Sequence, residues 1–176
     1  MTLLDFVNTS LGILVLLSHI FIILAIIYFL FSRKKYPAIL KSFSKNGIFL
    51  SFIIALIATA GSLFYSKIAG FNPCELCWYQ RILMYPEVLL LGFALYKKES
   101  KIIDYSLLLT AVGWLISTYH NYTFYMNIRS TICKIGESCN IKYVVEFGYI
   151  TIPIMALTAF TLIFILLLSQ RNQREN

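Results

Sequence analysis

Residues 71–96 read FNPCELCWYQRILMYPEVLLLGFALY, and this stretch decides which kinds of fold are open to the chain. Its larger, later part can form a helix inside a bilayer, because a hydrocarbon core about 30 Å thick takes roughly 20 residues of helix. Its first part places Pro73 and the C-x-x-C pair Cys74 and Cys77 where that helix would begin. The stretch therefore predicts a membrane helix that starts with two cysteines at the boundary between water and lipid.

The composition of the whole chain agrees with a membrane protein. Hydrophobic residues make up 59% of the 176 residues and charged residues only 13%, whereas a soluble domain has about 45–50% and about 25%. A soluble globular fold would lack polar groups for its surface, and a disordered chain would not be this apolar. The net charge of +7 comes from short basic clusters between apolar runs. We therefore interpret these clusters as signals of membrane topology and expect no nucleic-acid partner.

Five stretches have the length and apolarity of a membrane helix. They are Leu11–Phe31, Gly47–Ser66, Trp78–Tyr96, Ile102–Tyr125 and Gly148–Ser169. The loops between them are short, so neighbouring helices should be antiparallel and form one bundle. The first stretch lacks a basic start and is longer than the apolar part of a signal peptide, so we expect it to be retained.

The orientation follows from the distribution of Lys and Arg, because the cation-rich side of a membrane protein is cytoplasmic. Ten cations fall on one predicted side: Arg33, Lys34, Lys35, Lys41, Lys45, Lys97, Lys98, Lys101, Arg171 and Arg174. Four fall on the other: Lys67, Arg129, Lys134 and Lys142. The N-terminus and all four cysteines are therefore predicted to face outward and the C-terminus to face the cytoplasm. The linker Tyr36–Asn46 would lie at the cytoplasmic leaflet.

The four cysteines form two pairs, Cys74 with Cys77 and Cys133 with Cys139 in the segment CKIGESC. Disulfides persist in the oxidising environment outside the cytoplasm, and four cysteines allow three connectivities. Two structural alternatives stay open at this point. Both pairs could be disulfides that only tie down loops, or all four sulfurs could bind zinc if the pairs converged.

The surroundings of the first pair favour redox chemistry over a structural role. Pro73 suits the first turn of a helix, which would put both cysteines at a helix N-terminus, where a thiolate is stabilised. Arg81 follows Cys77 by four residues and so lies on the same helix face. An acidic thiol beside a cation at the membrane boundary is what electron exchange with a lipid-soluble partner requires.

The string FNPCELCWYQRILMYP, the second cysteine pair and the later string FGYITIPIMALTAF closely resemble the DsbB family, in particular its BdbC branch. The resemblance covers roughly residues 47–170 and implies a four-helix membrane bundle. The fold class expected is thus an all-α membrane protein, an antiparallel four-helix transmembrane bundle with one additional N-terminal transmembrane helix. We divide the chain into residues 1–46 (extra helix and linker), 47–170 (the core) and 171–176 (a cytoplasmic tail).

The resemblance also implies a role for each cysteine. Cys74 and Cys77 match the pair that faces a membrane quinone, and Cys77 matches the cysteine whose thiolate contacts the quinone ring. Cys133 and Cys139 match the loop pair that exchanges with an extracytoplasmic thioredoxin-fold thiol oxidase of the DsbA or BdbD kind. Cys133 would form the mixed disulfide with that partner. Cys139 and Cys74 would then pass electrons inward.

Two further residues match the family's quinone site. Arg81 matches the arginine that polarises the quinone, and His120 matches a histidine near it. Gln80 stands where some members have glutamate, so no acid–base role is assigned to it. The branch favours menaquinone, with ubiquinone as the alternative. The implied activity is quinone-dependent disulfide formation in exported proteins, in a bacterial cytoplasmic membrane.

Two other polar residues fall inside predicted membrane helices. Glu87 would lie roughly 13 Å deep, at 1.5 Å per residue, where an ionisable group is a functional candidate. A protonated Glu87 could instead satisfy the backbone loosened by Pro86. His19 in the first helix has no visible partner in the sequence, and we expect a structural role.

Two other functions are compatible with these features. A vitamin K epoxide reductase-like enzyme also couples a C-x-x-C pair to quinone, although the string CELCWYQR argues against it. A membrane anchor with structural disulfides would have no activity.

Overall fold

The computed structural model describes residues 2–31, 46–99, 101–127, 133, 139 and 141–175. This part of the chain forms five long helices. They are α1 (Leu3–Phe31), α2 (Gly47–Leu63), α3 (Glu75–Lys97), α4 (Ile102–Tyr125) and α5 (Ile152–Glu175). A π-helical turn, Phe64–Ile68, prolongs α2. The described residues contain no β-strand, only an isolated bridge between Glu146 and Ile150. The prediction of an all-α membrane protein is confirmed.

Helices α2 to α5 form the bundle, and α1 lies outside it. In the bundle α2 packs against α3 and α5, and α4 packs against the same two helices, whereas α1 packs mainly against α5. Helices α4 and α5 are packed tightly at Gly113, because a Cβ added there would overlap the ring of Phe160. The buried core residues are Ile48, Ala55, Met84, Leu91, Ala94, Ile103, Leu107, Ala159, Phe160, Ile163 and Leu167.

Four of the helices are long and apolar enough to cross a membrane. The apolar segments are Leu3–Leu24, Gly47–Ile68, Ile102–Tyr125 and Ile152–Asn172. Helix α3 has 23 residues, which is sufficient length, but it carries Gln80, Arg81 and Glu87. Gln80 and Glu87 are buried among neighbouring helices. The protein therefore shields much of the polar content of α3 from lipid.

The helix ends differ from the predicted spans for local reasons. Helix α1 begins at Leu3 and not at Leu11, because Thr2 and Asp5 form a reciprocal capping box with N–O distances of 2.9 and 3.2 Å. Helix α5 begins at Ile152 and not at Gly148. The positive φ angles of Phe147 (51°) and Gly148 (79°) make a turn before it.

The two ends of the bundle differ in their side chains. Lys97, Lys98 and Lys101 lie at the link between α3 and α4, and the Arg171 Nε to Asp104 Oδ1 distance of 3.3 Å brings the end of α5 to the same end of the bundle. The cysteines lie at the opposite end, where α3 begins. This separation agrees with the charge argument, but the direction across the membrane stays a prediction. The predicted linker lies outside the described residues apart from Asn46. The cations of the charge argument that also lie outside them are Arg33, Lys34, Lys35, Lys41, Lys45, Arg129 and Lys134.

Candidate functional site

Cys74 is the N-cap of α3, and its sulfur takes the place of the oxygen of a capping serine. Its backbone is extended (φ −73°, ψ 168°), and Sγ accepts a hydrogen bond from the backbone N–H of Cys77 at 3.3 Å. The helix thus begins at Glu75, two residues after Pro73, so Pro73 precedes the cap and does not lie in the first turn as predicted. Cys74 and Cys77 are free thiols with their Sγ atoms 2.7 Å apart. The backbone N–H groups at the helix N-terminus therefore stabilise negative charge on the sulfur of Cys74.

His120 reaches the same sulfur from α4. Its Nε2 lies 3.8 Å from Cys74 Sγ, and the side chain is only 2% exposed. The Gln80 amide Nε2 lies 3.1 Å from His120 Nδ1 and donates to it. That bond leaves the proton of neutral His120 on Nε2, facing the sulfur. Gln80 was assigned no role from the sequence. The one sequence signal for it is its position six residues after Cys74, which places both residues near the start of α3.

These contacts make Cys74 acidic. A hydrogen bond from the Cys77 thiol, with smaller contributions from His120 and the Cys77 backbone N–H, lowers the pKa of Cys74 to about 5 against the opposing effect of burial. The sequence expectation placed the thiolate on Cys77, beside Arg81. In the reduced pair of this structure the negative charge is better stabilised on Cys74, because the donors converge on its sulfur.

Arg81 is fixed by Ser62 of α2. Its Nε donates to Ser62 Oγ at 2.9 Å and its Nη2 to the Ser62 carbonyl oxygen at 3.2 Å. The guanidinium also lies over the Trp78 ring, 5.4 Å from the centroid. Within the described part of the chain no carboxylate lies at ion-pair distance from Arg81, so its charge is available to another anionic group. Ser62 was not found from the sequence, since no motif connects it to Arg81.

The second cysteine pair is a disulfide between Cys133 and Cys139. Cys139 is buried and forms a small cluster with Cys74 and Leu76, against which Cys77 and Cys133 also pack. The structure thus brings all four cysteines together, with the loop pair bonded and the helix pair free. Proximity of Cys139 to Cys74 within this cluster is what disulfide exchange between the pairs requires.

A metal ion could use part of the same constellation. The ligand atoms of Cys74, Cys77 and His120 lie within 4.8 Å of one another, and thiolate and imidazole are ligands that zinc prefers. The four-cysteine zinc site considered from the sequence is a different arrangement, because Cys133 and Cys139 are bonded to each other here.

A cavity of about 280 Å³ adjoins the cysteines. Its polar border includes Cys74, Cys77, Gln80, Arg81 and His120. Most of its remaining wall is apolar and comes from α2, α5 and α1, including Ile54, Ile57, Ala58, Met155, Ala156, Ala159, Leu11, Leu14 and Val15. The predicted site residues Cys77, Arg81 and His120 therefore share one cavity.

The structure places Glu87 and His19 away from this cavity wall. Glu87 is fully buried and accepts hydrogen bonds from the hydroxyls of Ser106 and Thr110 on α4, the latter at 2.9 Å. It therefore links two helices, and its partners are hydroxyls of α4 and not the backbone near Pro86. His19 has partners that the sequence did not reveal, and they are described below.

Comparison with known proteins identifies the family. The model of the family "Disulfide bond formation protein DsbB" matches residues 44–170. The "Probable disulfide formation protein" of Oceanobacillus iheyensis is 45% identical over 126 residues, which are 70% of this chain and 87% of that protein. "Disulfide bond formation protein C" of Bacillus subtilis is 43% identical over 130 residues, 73% of this chain and 94% of that protein.

A third relative agrees with these two. The "SPbeta prophage-derived disulfide bond formation protein B" of Bacillus subtilis is 40% identical over 121 residues, 68% of this chain and 82% of that protein. No solved structure matches the chain. Helix α1 lies outside the segment that the family model covers. On the strength of that match and these relatives, the chain belongs to the DsbB family and is a membrane protein of disulfide bond formation.

Proposed function

We propose that the protein reoxidises an extracytoplasmic thioredoxin-fold thiol oxidase and passes the electrons to a membrane quinone, menaquinone in the first instance. One observation carries the proposal. The free pair Cys74 and Cys77 shares a cluster with the loop cysteine Cys139, and it also borders an apolar cavity together with Arg81. A thiol pair placed between the Cys133–Cys139 disulfide and an apolar cavity is suited to relay electrons from the disulfide to a molecule bound in the cavity.

The residues around the cavity fit a quinone headgroup. Apolar walls of α2 and α5 suit a ring and the start of an isoprenoid tail, and small-molecule sites combine such walls with a few placed polar groups. Arg81 is the polar group with unused donors, because Ser62 occupies only part of its guanidinium. When bound there, a quinone supplies an acceptor for two electrons and two protons.

The first step belongs to the loop pair. A thiolate of the reduced partner attacks Cys133, which breaks the Cys133–Cys139 bond and forms a mixed disulfide. The second partner thiol then displaces Cys133. The partner leaves with its own disulfide, and the loop pair holds the two electrons and two protons as thiols.

The second step passes the electrons inward. Starting from a Cys74–Cys77 disulfide, the Cys139 thiolate attacks Cys74, and Cys133 completes the exchange. The loop disulfide forms again and the inner pair becomes a dithiol. The cluster that holds both Cys139 and Cys74 supports this route. The low pKa of Cys74 also makes it a good leaving or attacking group, because exchange depends on thiolate chemistry.

The third step returns the inner pair to a disulfide as its two electrons and two protons leave through the cavity. Cys77 is the thiol nearer to Arg81 in the helix sequence, so it faces the acceptor, and the Cys74 thiolate then closes the disulfide. Arg81 holds positive charge where negative charge develops. His120 carries its proton on Nε2, turned toward the cysteine pair by Gln80.

The membrane and its orientation are part of the proposal. Because the partner is an exported protein, the cysteine end of the bundle lies on the outer side of a bacterial cytoplasmic membrane and the cation-rich end lies inside. The bundle agrees with this, since its cysteines and the Lys97–Lys101 link are at opposite ends.

Steady-state turnover tests the function. The purified protein in lipid nanodiscs receives a reduced DsbA-like protein and a short-chain menaquinone analogue, and loss of quinone is followed by absorbance. We expect turnover in the wild type and none in Cys77→Ser. A wild-type protein that forms both disulfides but reduces no quinone would favour the membrane-anchor function.

A further inference from the structure

Helix α1 borders the cavity although it lies outside the four-helix bundle. Its residues Leu11, Leu14, Val15 and Ser18 belong to the cavity lining. Their spacing of three, four and seven residues puts them on one face of the helix. Of the lining residues Val15 is buried and Leu14 is 47% exposed, and Ile13 and Leu17, which do not line the cavity, are 44% and 57% exposed. One face of α1 therefore turns to the cavity and the other to lipid.

Polar contacts hold α1 in this position at two levels. On the N-terminal side of the lining residues, Tyr65 Oη donates to Asn8 Oδ1 at 2.9 Å. On their C-terminal side, His19 Nε2 lies 2.8 Å from Thr158 Oγ1 and His19 Nδ1 lies 3.1 Å from Tyr149 Oη. Hydrogen bonds between membrane helices stabilise their association. These contacts bracket the segment from Leu11 to Ser18.

Close packing adds to these bonds. A Cβ at Gly12 would lie 3.2 Å from Glu146 Cβ and from the Phe147 ring, and a Cβ at Gly61 would lie 3.2 Å from Leu11 Cδ1. Small residues let membrane helices approach closely. The turn before α5 and the end of α2 are thus in contact with the part of α1 that lines the cavity.

From this geometry we infer that α1 is a wall of the quinone site, with Val15 as a residue that determines how well a quinone headgroup fits. The inference rests on the proposed function and extends it to a helix that the family model does not cover. His19 is a positioning residue, because it acts through Thr158 and Tyr149 to hold the wall in place. The chemistry of electron transfer stays with the cysteines.

Two substitutions to tryptophan on α1 form a matched pair. Val15→Trp fills the cavity from the α1 side, whereas Leu17→Trp adds the same ring to the lipid-facing side of the same helix. One methylene more or less in an apolar pocket already changes discrimination by about 10–200-fold, and tryptophan adds more than one methylene. We expect Val15→Trp to raise the apparent KM for the short-chain menaquinone analogue at least about tenfold, which is about 1.4 kcal/mol, and Leu17→Trp to leave it unchanged.

Thiol–disulfide exchange with the partner is the control for folding, because a general structural defect would change its rate. Reduction of the Cys133–Cys139 disulfide by the reduced DsbA-like protein, measured without quinone, should have the wild-type rate in both tryptophan variants. His19→Leu should raise the quinone KM with the same exchange rate, and His19→Gln, which keeps a hydrogen-bonding group, should recover part of the loss. An unchanged quinone KM in His19→Leu would overturn the positioning role.

A measurement on the wild-type protein does not depend on the folding of any variant. A photoreactive azidoquinone is illuminated with the full-length protein in nanodiscs, and the labelled peptides are identified by mass spectrometry. We expect label within Leu11–Ser18 as well as on the bundle helices. If the wild type reduces quinone but Val15→Trp has an unchanged KM, this inference is overturned and the proposed function stays intact. The same holds if the wild type reduces quinone but the label is on the bundle helices alone. No quinone reduction by the wild type would overturn both.

Discussion

Replacement of Arg81 by lysine separates the geometry of the guanidinium from its charge. Of its five N–H donors, Nε and Nη2 each give one to Ser62. The remaining donors are available at the border of the cavity. A lysine ammonium keeps the positive charge but has no planar fork, so it cannot bind Ser62 in two places and a quinone oxygen in a third.

The size of the effect follows from the hydrogen bonds that are lost. A hydrogen bond involving a charged group contributes about 1.5–3 kcal/mol. Loss of one such bond to the quinone therefore lowers kcat/KM for quinone by about 10- to 150-fold. We expect Arg81→Lys to fall within this range and Arg81→Ala to lose more, because alanine also removes the charge.

The assay is steady-state quinone reduction at several quinone concentrations for the wild type, Arg81→Lys and Arg81→Ala. Arg171→Lys is the matched control, since Arg171 bonds to Asp104 at the other end of the bundle and the same change there should leave quinone kinetics unaltered. Formation of both disulfides with an external oxidant verifies that each variant is folded. If Arg81→Lys and Arg81→Ala both have wild-type kcat and KM, Arg81 only anchors α3 at the interface and the reasoning is refuted.

The remaining predictions concern thiols and one buried carboxyl group. Because the folded pKa of Cys74 is lowered to about 5, the thiolate absorbance of the reduced inner pair should persist as pH falls and disappear only near pH 5; a midpoint near about 8.5, the value of an ordinary cysteine, would contradict this. Glu87→Leu leaves the Ser106 hydroxyl without its acceptor and should lower the free energy of unfolding by about 1–3 kcal/mol, whereas Glu87→Gln should unfold like the wild type; equal midpoints for all three proteins would argue against the link. Cys139→Ser should trap the DsbA-like protein on Cys133 as a mixed disulfide on a non-reducing gel, and absence of that adduct would assign the exchange to another cysteine.

The sequence was sufficient to predict the elements that depend on composition and local spacing. The apolar stretches gave the helices, and the position of Cys74 and Cys77 before an apolar run predicted a helix start with thiols. The distance of four residues between Cys77 and Arg81 predicted one shared helix face, and both residues border the same cavity. These features follow from helix periodicity and from the length of chain needed to cross a bilayer.

Contacts between distant segments could not be predicted in the same way. Ser62 and Arg81 are 19 residues apart, and Gln80 and His120 are 40 apart, so no local pattern connects them. The thiolate preference for Cys74 comes partly from local donors of Cys77, but the contribution of His120, 46 residues away, exists only in the folded bundle. The partners of His19 likewise lie on and before α5, more than 100 residues later. The start of α1 was predictable in principle, because Thr2 and Asp5 have capping-box spacing.

Single-turnover stoichiometry tests the central claim most directly. The wild-type protein in nanodiscs is reduced at all four cysteines, freed of reductant under anaerobic conditions and mixed with limiting menaquinone analogue, and its disulfides are mapped by mass spectrometry as quinol is measured. The account predicts one disulfide for each quinol formed, with Cys74–Cys77 appearing first and Cys133–Cys139 following by exchange. Quinol formation with Cys133–Cys139 oxidised first, or disulfides that form without quinol, would contradict it.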